Sequence, residues 1–447
     1  MLKTDEPALD AMPDTRQQRL RAWLTNAKYY LGLIVLMALG ALTSPHAADG
    51  SNIFLSSANF SDVFRQVANV GVMSMGMTLV IITAGIDLSV GSVMGFGSVL
   101  TAILLTTPGS NPASWTALGL DAISLFLIVF ALGGVVLVRS RRVAAGGGRV
   151  GAGAPGHRYA RAGIALACAL LACFYAWHGL PGKVSLLTVL WMVPLAGLAI
   201  GALNGWIITR GGMQPFIVTL AAMVGVMGVA RLVAGQDTAV YSIYSGTNAT
   251  SDIEFLRALL FGVVPVPAVF FIVIALIADF MLNRTVFGKY LYAIGGNEKC
   301  ARISGLQVDR NKIAAYAISG MLSALVGVLY AAQYRQGKAD AGMGWELDAI
   351  AAVVIGGTSL MGGVGRIAGT VAGVLIFGFL GNILLLNNID SNTQLVLKGL
   401  IIVVAVFLQQ TRMNPRAMLI RLRGRRVVVP ASTPRNEAPR PGDPGTP

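Results

Sequence analysis

A chain of 447 residues with 55% hydrophobic and 12% charged residues has too little polar material to cover a water-facing surface, which excludes an assembly of ordinary soluble domains. Its mean hydropathy of +0.69 points to an integral membrane protein with the lipid bilayer as its solvent. The formal net charge of +14 sits at the ends of apolar runs, where membrane topology accounts for it, so nucleic acid is not an expected partner.

Residues 1–28 are polar and mixed in charge and read as a cytoplasmic N-terminal segment. The apolar run 29–43 ends in SPHAADG with no small-residue cleavage pattern, so it reads as a retained first span. Further apolar runs follow at 67–86, 90–107, 121–138, 163–179, 184–208, 214–235, 261–282, 313–331, 348–362, 366–387 and 394–411. The expected fold class is therefore all-α, a polytopic transmembrane helical bundle of about 10–12 spans filling residues 29–411. A barrel would instead alternate apolar and polar residues over about 10-residue strands. Residues 412–447 are basic and then Pro-rich and are expected to form a disordered cytoplasmic tail.

Orientation follows from the basic residues. With a cytoplasmic N-terminus, the inner segments hold Lys3, Arg16, Arg19, Arg21, Lys28, the basic Gly-rich loop 139–162, Arg210, the loop 283–312 and the tail. The outer loops hold only Arg65, Lys183, Arg257, Arg335 and Lys338. That asymmetry places both termini in the cytoplasm and requires an even number of spans. Glycines at small-xxx-small spacing, such as Gly91 and Gly95, Gly197 and Gly201, and Gly369 and Gly373, read as close helix contacts. Cys168, Cys173 and Cys300 form no CxxC pair, and His46, His157 and His178 are scattered, so no metal site, catalytic cluster or cofactor is expected in this chain.

Two stretches ask for more. In ITAGIDLSVGSVMG, Ile82 to Gly95, Asp87 is the one formal charge in a long apolar run. Gly85 and Gly91 bracket it, so the chain can turn and start a helix with Asp87 or Ser89 as its cap. One reading is an acidic cap at a turn; the other makes the break part of a solute path, since irregular backbone at membrane depth persists only where protein or water covers it. In FGKYLYAIGGNEKCARISGLQVDRNK, Phe287 to Lys312, Asn297 is a good N-cap, Glu298 follows in the first turn, Arg302 lies in the last and Gly305 suits the C′ position. This specifies a helix of about seven residues, some 10 Å long, too short to be stable alone.

The blocks GMTLVIITAGIDLSVGSVMG, ALNGWIITRGGMQPFIVTLAAM, FGKYLYAIGGNEKCARISGL and ELDAIAAVVIGGTSLMGGVGRIAGTVAG occur in this order and together resemble permease subunits of bacterial ABC importers for monosaccharides, the ribose, xylose, arabinose and galactose group. The resemblance implies a multi-pass protein of the bacterial inner membrane that translocates a monosaccharide. It implies three partners: a cytoplasmic ABC ATPase subunit, a periplasmic sugar-binding protein and a second permease copy or homologue. It makes Gly295, Gly296, Asn297, Glu298, Ala301 and Gly305 the ATPase-coupling region, with Ala301 facing the ATPase cleft. No GxxxxGK[ST] loop is present, so ATP hydrolysis belongs to another polypeptide and the chain is not an enzyme. Between GIDLSVGS and LNGW, residues 106–186 insert about two extra spans relative to the family's usual short connection. Asp87, Ser89, Asn204, Thr219, Thr358 and Ser359 are the candidates for the translocation path; each hydroxyl or amide also has the simpler reading of a bond to its own or a neighbouring helix. The rival function is a secondary, ion-coupled transporter, which calls for charged pairs inside spans, whereas of Asp87, Asp121, Arg231, Asp279, Asp348, Arg366 and Lys398 most lie near predicted ends.

Overall fold

The computed structural model describes residues 31–106, 184–235 and 240–410. The expected spans 121–138 and 163–179, the loop 139–162 and both terminal segments lie outside the described residues, together with Cys168, Cys173, His157 and His178. What is described is helical: α1 (Leu31–Thr43), α2 (Ser57–Ile82), α3 (Val90–Thr106), α4 (Leu186–Arg210), α5 (Pro215–Ala234), α6 (Val266–Arg284), α7 (Val286–Gly296), α8 (Glu298–Ile303), α9 (Val308–Tyr334), α10 (Trp345–Ile355), α11 (Ile367–Leu386) and α12 (Ser391–Gln410). Two small antiparallel ribbons, β1 (Val240–Ser242) with β4 (Gln336–Lys338) and β2 (Leu259–Leu260) with β3 (Val264–Pro265), are the only named strands among the described residues. Six helices, α2, α4, α5, α6, α9 and α11, are long and apolar enough to cross a membrane, and the protein is a polytopic helical membrane protein.

The helices start where side chains can replace missing backbone partners. Ser56 Oγ accepts from Asn59 N–H at the head of α2, Ser185 Oγ from Thr188 N–H at the head of α4, and Pro215 opens α5 where its lack of an N–H costs nothing. One end of the bundle carries the ribbons. There Ser61 Oγ donates to the Val263 carbonyl at 2.6 Å, Arg335 pairs with Glu254 at 2.9 Å, and Asn59 and Asn382 exchange amide bonds across α2 and α11 beside Phe54, Phe60, Phe64 and Phe379. Thr106 and Leu186, on either side of residues 107–183, lie at this same ribbon end, joined through a core of Ala102, Leu105, Leu186 and Val189. The opposite end carries α8.

Helix α9 is the central post. Its Ala324 meets Gly97 of α3, its Gly320 meets Gly197 of α4, its Tyr316 backbone meets Gly201, and its Ser319 backbone meets Gly76 of α2. The spaced glycine pairs are close contacts as the spacing implied: Gly91 and Gly95 face the backbone of Gly342 and Ala339, and Gly369 and Gly373 face that of Gly356 and Ala352. In lipid, where no hydrophobic force separates helix from tail, such backbone approach supplies the association energy.

Three expected spans give helices shorter than these six: the run 29–43, described as α1, and two more. The run 348–362 folds into an 11-residue α10 and a loop, and at 1.5 Å per residue α10 is about 16 Å long, roughly half a bilayer core. The run 90–107 becomes α3, which starts beside Asp87 in the middle of the protein and runs to the ribbon end. Helix α10 starts beside Gly91, at the foot of α3, and runs the other way to Gly356. Glycines set these breaks: Gly344 (φ 86°) stands at the head of α10 and Gly357 (φ 86°) follows its end, in a region where other residues are strained. A hydropathy window registers the same apolar stretch whether it is one helix or half a helix and a loop. The other boundaries shift by less, except that α2 begins at Ser57 after the Ser56 cap, its first turns carrying the charged Asp62 and Arg65, and the β2–β3 turn with β3 takes up the first residues of 261–282.

Gly201→Leu puts a side chain into the backbone of Tyr316 and is expected to cost about 3 kcal/mol or to prevent assembly. Gly225→Ala in α5 meets nothing within 4 Å and is expected to gain up to about 1 kcal/mol from helix propensity. Thermal unfolding of the two detergent-solubilised variants checks the pair, and equal behaviour would show that glycine contacts on α9 do not hold the bundle.

Candidate functional site

Helix α2 stops at Ile82. Thr83 Oγ1 and Gly85 N–H both turn back to the Val80 carbonyl, and Ala84 takes a left-handed φ of 60°. The chain then passes without helix or strand through Ile86 and Asp87 before α3 begins. Asp87 is fully buried and holds three donors: Ser89 N–H at 3.1 Å and Ser89 Oγ–H at 2.6 Å on one oxygen, Ser319 Oγ–H at 2.8 Å on the other. Asn204 Nδ2 donates in turn to Ser89 Oγ at 3.0 Å. The Ile86 carbonyl accepts from Thr219 Oγ1 at 3.2 Å and Tyr316 hydroxyl at 3.4 Å. An isolated carboxylate in an apolar interior is prohibitive, and hydrogen bonds together with the positive end of α3 offset part of that penalty. Side chains from α4, α5 and α9 therefore tie one turn between α2 and α3. Ser319 lies about 16 Å along α9 from Val308, near mid-length, which sets the depth of the knot.

Asp87, Ser89, Asn204 and Thr219 thus come together, all buried. Thr358 and Ser359 do not join them. They belong to the loop between α10 and α11 at the α8 end, where Thr358 packs under Gly365 and Ser359 closes the loop through Ser359 N–H to the Val364 carbonyl at 2.9 Å and Gly362 N–H to the Ser359 carbonyl at 3.0 Å. This loop meets the coupling candidates instead. Gly363 N–H donates to the Ile82 carbonyl at 2.9 Å, Gly295 at the end of α7 packs its Cα against that same carbonyl and Gly363, and Tyr292 hydroxyl donates to the Gly365 carbonyl at 2.8 Å. A side chain on Gly295 would collide with backbone on two sides. Three chain segments are clamped backbone to backbone, five residues from Asp87.

Helix α8 hangs from this clamp. Asn297 caps it, Oδ1 accepting from Cys300 N–H at 3.0 Å. Its end is a Schellman motif: Gly305 has φ 80°, Leu306 N–H reaches the Ala301 carbonyl at 3.1 Å and Gly305 N–H the Arg302 carbonyl at 3.1 Å. Glu298 pairs with Lys312 at 2.6 Å and with Arg302 at 3.3 Å, and Arg302 also with Asp309 at 2.8 Å. Partial burial pushes the Glu298 carboxyl up, but Lys312 and then Arg302 outweigh it and hold it below its usual range. Ala301 corrects an expectation: it is buried with Ile294 and Val308, with Leu306 against them, so it faces its own protein and not a partner. The reason is the α7–α8–α9 bend, which wraps a small apolar core of its own. What points outward is Lys299, Cys300, Arg302 and Ile303, the last 87% exposed. Gly296 is exposed beside them.

The sequence reading missed the partners of the singled-out residues. Ser319 and Tyr316 sit in the apolar run YAISGMLSALVG, where hydroxyls among apolar residues were a usable signal; Lys312 and Asp309 lay within the quoted loop. Lys398 and Asp348 form an ion pair at 2.9 Å between α12 and α10 that no local spacing announces. Among the described residues no group of His, Cys, Asp and Glu could hold a metal ion.

The family model for the branched-chain amino acid transport system / permease component matches residues 59–406, from the head of α2 to the last turns of α12. The chain belongs to this permease family. The permease is 32% identical over 404 residues to the ribose import permease protein RbsC of Escherichia coli (strain K12), covering 89% of this chain and 97% of that protein. It is 34% identical over 383 residues to the ribose import permease protein RbsC of Bacillus subtilis (strain 168), covering 86% and 92%. It is 30% identical over 380 residues to the xylose transport system permease protein XylH of Escherichia coli (strain K12), covering 79% and 85%. No solved structure matches the permease.

Asp87→Ala in the permease leaves Ser89 and Ser319 without their acceptor and is expected to cost about 2–3 kcal/mol, while Asp87→Asn keeps one acceptor and costs less. Thermal midpoints of the two variants check the order, and equal losses would show that these bonds do not hold the turn. The depressed carboxyl of Glu298 gives a pH dependence. Its contribution is present above the unfolded value of 4.5 and is lost as the pH falls through the lower folded value. The hydrogen-exchange protection factor of the Leu306 amide should stay high at neutral pH and fall only on acidification below that value.

Proposed function

We propose that this permease is the transmembrane subunit of an ATP-binding cassette importer and carries a monosaccharide across the bacterial inner membrane. The observation that carries the proposal is the clamp of Ile82, Gly295 and Gly363, which joins α8 at one end of the bundle to the Asp87 turn at mid-depth. A separate ATPase subunit docks on α8 through Lys299, Cys300 and Ile303, with Gly296 alongside. Asn297 and Gly305 fix the shape of that helix, and Gly295 passes its displacement to Ile82. The relatives named as ribose and xylose permeases support a sugar as cargo.

The α8 end is cytoplasmic in this reading. It carries Arg210, Arg284, Lys289, Lys299, Arg302, Arg310, Lys312 and Arg366, whereas the ribbon end carries the smaller set Arg65, Arg257, Arg335 and Lys338. Both termini are then cytoplasmic, and a sugar-loaded periplasmic binding protein meets the ribbon end. A second copy or homologue completes the path. Within each copy, the buried Asp87, Ser89, Asn204 and Thr219 shape the path from behind by fixing where α3 starts, and Thr358 and Ser359 act in the coupling clamp. The chain itself needs no cofactor and hydrolyses no ATP.

One observation favours a second reading as an ion-coupled carrier: the Lys398–Asp348 pair joins two apolar helices, the kind of feature such carriers use. Uptake of a panel of labelled pentoses and hexoses into vesicles containing the permease, its ATPase and its binding protein separates the two. Uptake that needs ATP and survives a protonophore supports the importer; uptake that ignores ATP and collapses with the proton gradient supports the carrier. Gly305→Val forces a β-branched residue into the left-handed region at a cost of about 1–2 kcal/mol and is expected to uncouple ATP hydrolysis from sugar while membrane insertion stays normal. Labelling of Cys300 by a membrane-permeant thiol reagent should slow when the ATPase is bound, and an unchanged rate would remove α8 from the contact.

A further inference from the structure

Between the Asp87 turn and the ribbon end, three elements gather polar and aromatic side chains that the site above does not use. Asn69, about 18 Å along α2, is 1% exposed; its Nδ2 donates to Gln333 Oε1 on α9 at 3.0 Å, and its Oδ1 has no donor. One turn away on the same face of α2, Arg65 Nη1 pairs with Asp62 at 3.4 Å while its buried Nε has no acceptor. Across from them Tyr330 and Tyr334 lie with ring centroids 4.5 Å apart, and Trp345 at the head of α10 meets Tyr330 edge-on at 6.1 Å. Arg65 is close enough to Tyr334 for its charge to act on the hydroxyl. Tyr330 is nearly covered, whereas Tyr334 is 45% exposed and presents the cluster to the outside.

A buried acceptor and a buried donor that both lack partners, a few residues apart on one helix face, each cost about 1–3 kcal/mol unless something fills them. The filler must offer a donor to Asn69, an acceptor to Arg65 and an apolar face to Tyr334. Hydroxyl groups donate and accept, and the C–H face of a sugar ring packs on an aromatic ring. A zwitterion fits less well, because Arg65 and Asp62 already answer each other's charge. The broken chain just beneath, where α3 and α10 start in opposite directions and the irregular segment between α9 and α10 bears the half-exposed pair Lys338 and Asp340, is backbone of the kind that survives at membrane depth beside a water-filled cavity.

We infer that Asn69, Arg65, Gln333, Tyr334 and Trp345 form a contact site for a neutral monosaccharide ring at the ribbon-end mouth of the transport path. This rests on the reading of the chain as a monosaccharide permease.

Saturation-transfer NMR on the full chain in lipid nanodiscs tests the inference, with D-ribose, D-xylose, L-arabinose, D-galactose and L-leucine as probes. Ring protons of at least one sugar should be saturated and those of leucine should not. Tyr334→Ala and Asn69→Leu should each lower the sugar signal about fivefold or more, and Tyr334→Phe should retain it. Tyr334 is half exposed, so its variants keep the test valid even where Asn69→Leu fails to fold. In the assembled importer Tyr334→Ala should raise the sugar KM about fivefold. A sugar signal that survives Tyr334→Ala, or an equal signal from leucine, overturns the inference. ATP-driven sugar uptake with no saturation in the wild-type chain also overturns it but leaves the transport reading standing; saturation that responds to the variants, with no ATP-driven uptake, does the reverse.

Discussion

The carbonyl of Ile82 governs much of this molecule. Where α2 stops, that oxygen has lost its place in the helical ladder, and inside a membrane an unpaired carbonyl has no water to turn to. The amide of Gly363 takes it, and Gly295 fits against it because it has no side chain. The need to satisfy one backbone group at depth thereby draws the end of α2, the end of α7 and the loop after α10 to one point. The Asp87 turn, the start of α3 and the position of α8 all follow from where that point lies.

The same need explains why the polar residues near the break are buried and mutually bonded. Asp87, Ser89, Ser319 and Asn204 form a chain of hydrogen bonds linking the α2–α3 turn to α9 and α4, while Thr219 and Tyr316 hold the neighbouring Ile86 carbonyl. A network with each member satisfied specifies one geometry, and the loss of one member leaves the others exposed to the full desolvation penalty. This makes the turn a stiff element, suited to moving as a unit with α2 and α3 instead of deforming.

The membrane class, most helices and the small helix α8 were legible in the chain. Asn297 and Gly305 announce α8 through local chemistry, since an Asx cap and a left-handed C′ glycine act within a few residues. The tight contacts at Gly91, Gly95, Gly197 and Gly201 were legible through spacing. Less visible was whatever depends on depth. The runs containing α3 and α10 are both apolar, and only the packing of their starts against each other shows that they begin side by side within the bundle and run opposite ways. Burial direction was also hidden: on a six-residue helix Ala301 and Ile303 are two positions apart and face opposite ways, and size alone suggested the wrong one for contact. The grouping of Thr358 and Ser359 with Gly295 instead of Asp87 arises from the turn after α10, whose glycines were taken for the interior of a span.

The capped, ion-paired and internally packed form of α8 has a kinetic corollary. A docking element that is unfolded until it meets its partner loses chain entropy at the moment of contact, and its affinity and stiffness are reduced together. Here the backbone of α8 is already fixed by its own residues, so the proposed partner would meet a finished surface with Ile303 at its crest. A rigid peg of this kind binds and releases without refolding, and a push applied to it reaches the bundle without being absorbed by loose chain. On the proposal made above, exchange between engaged and free states would be limited by the partner's motion and not by refolding of α8.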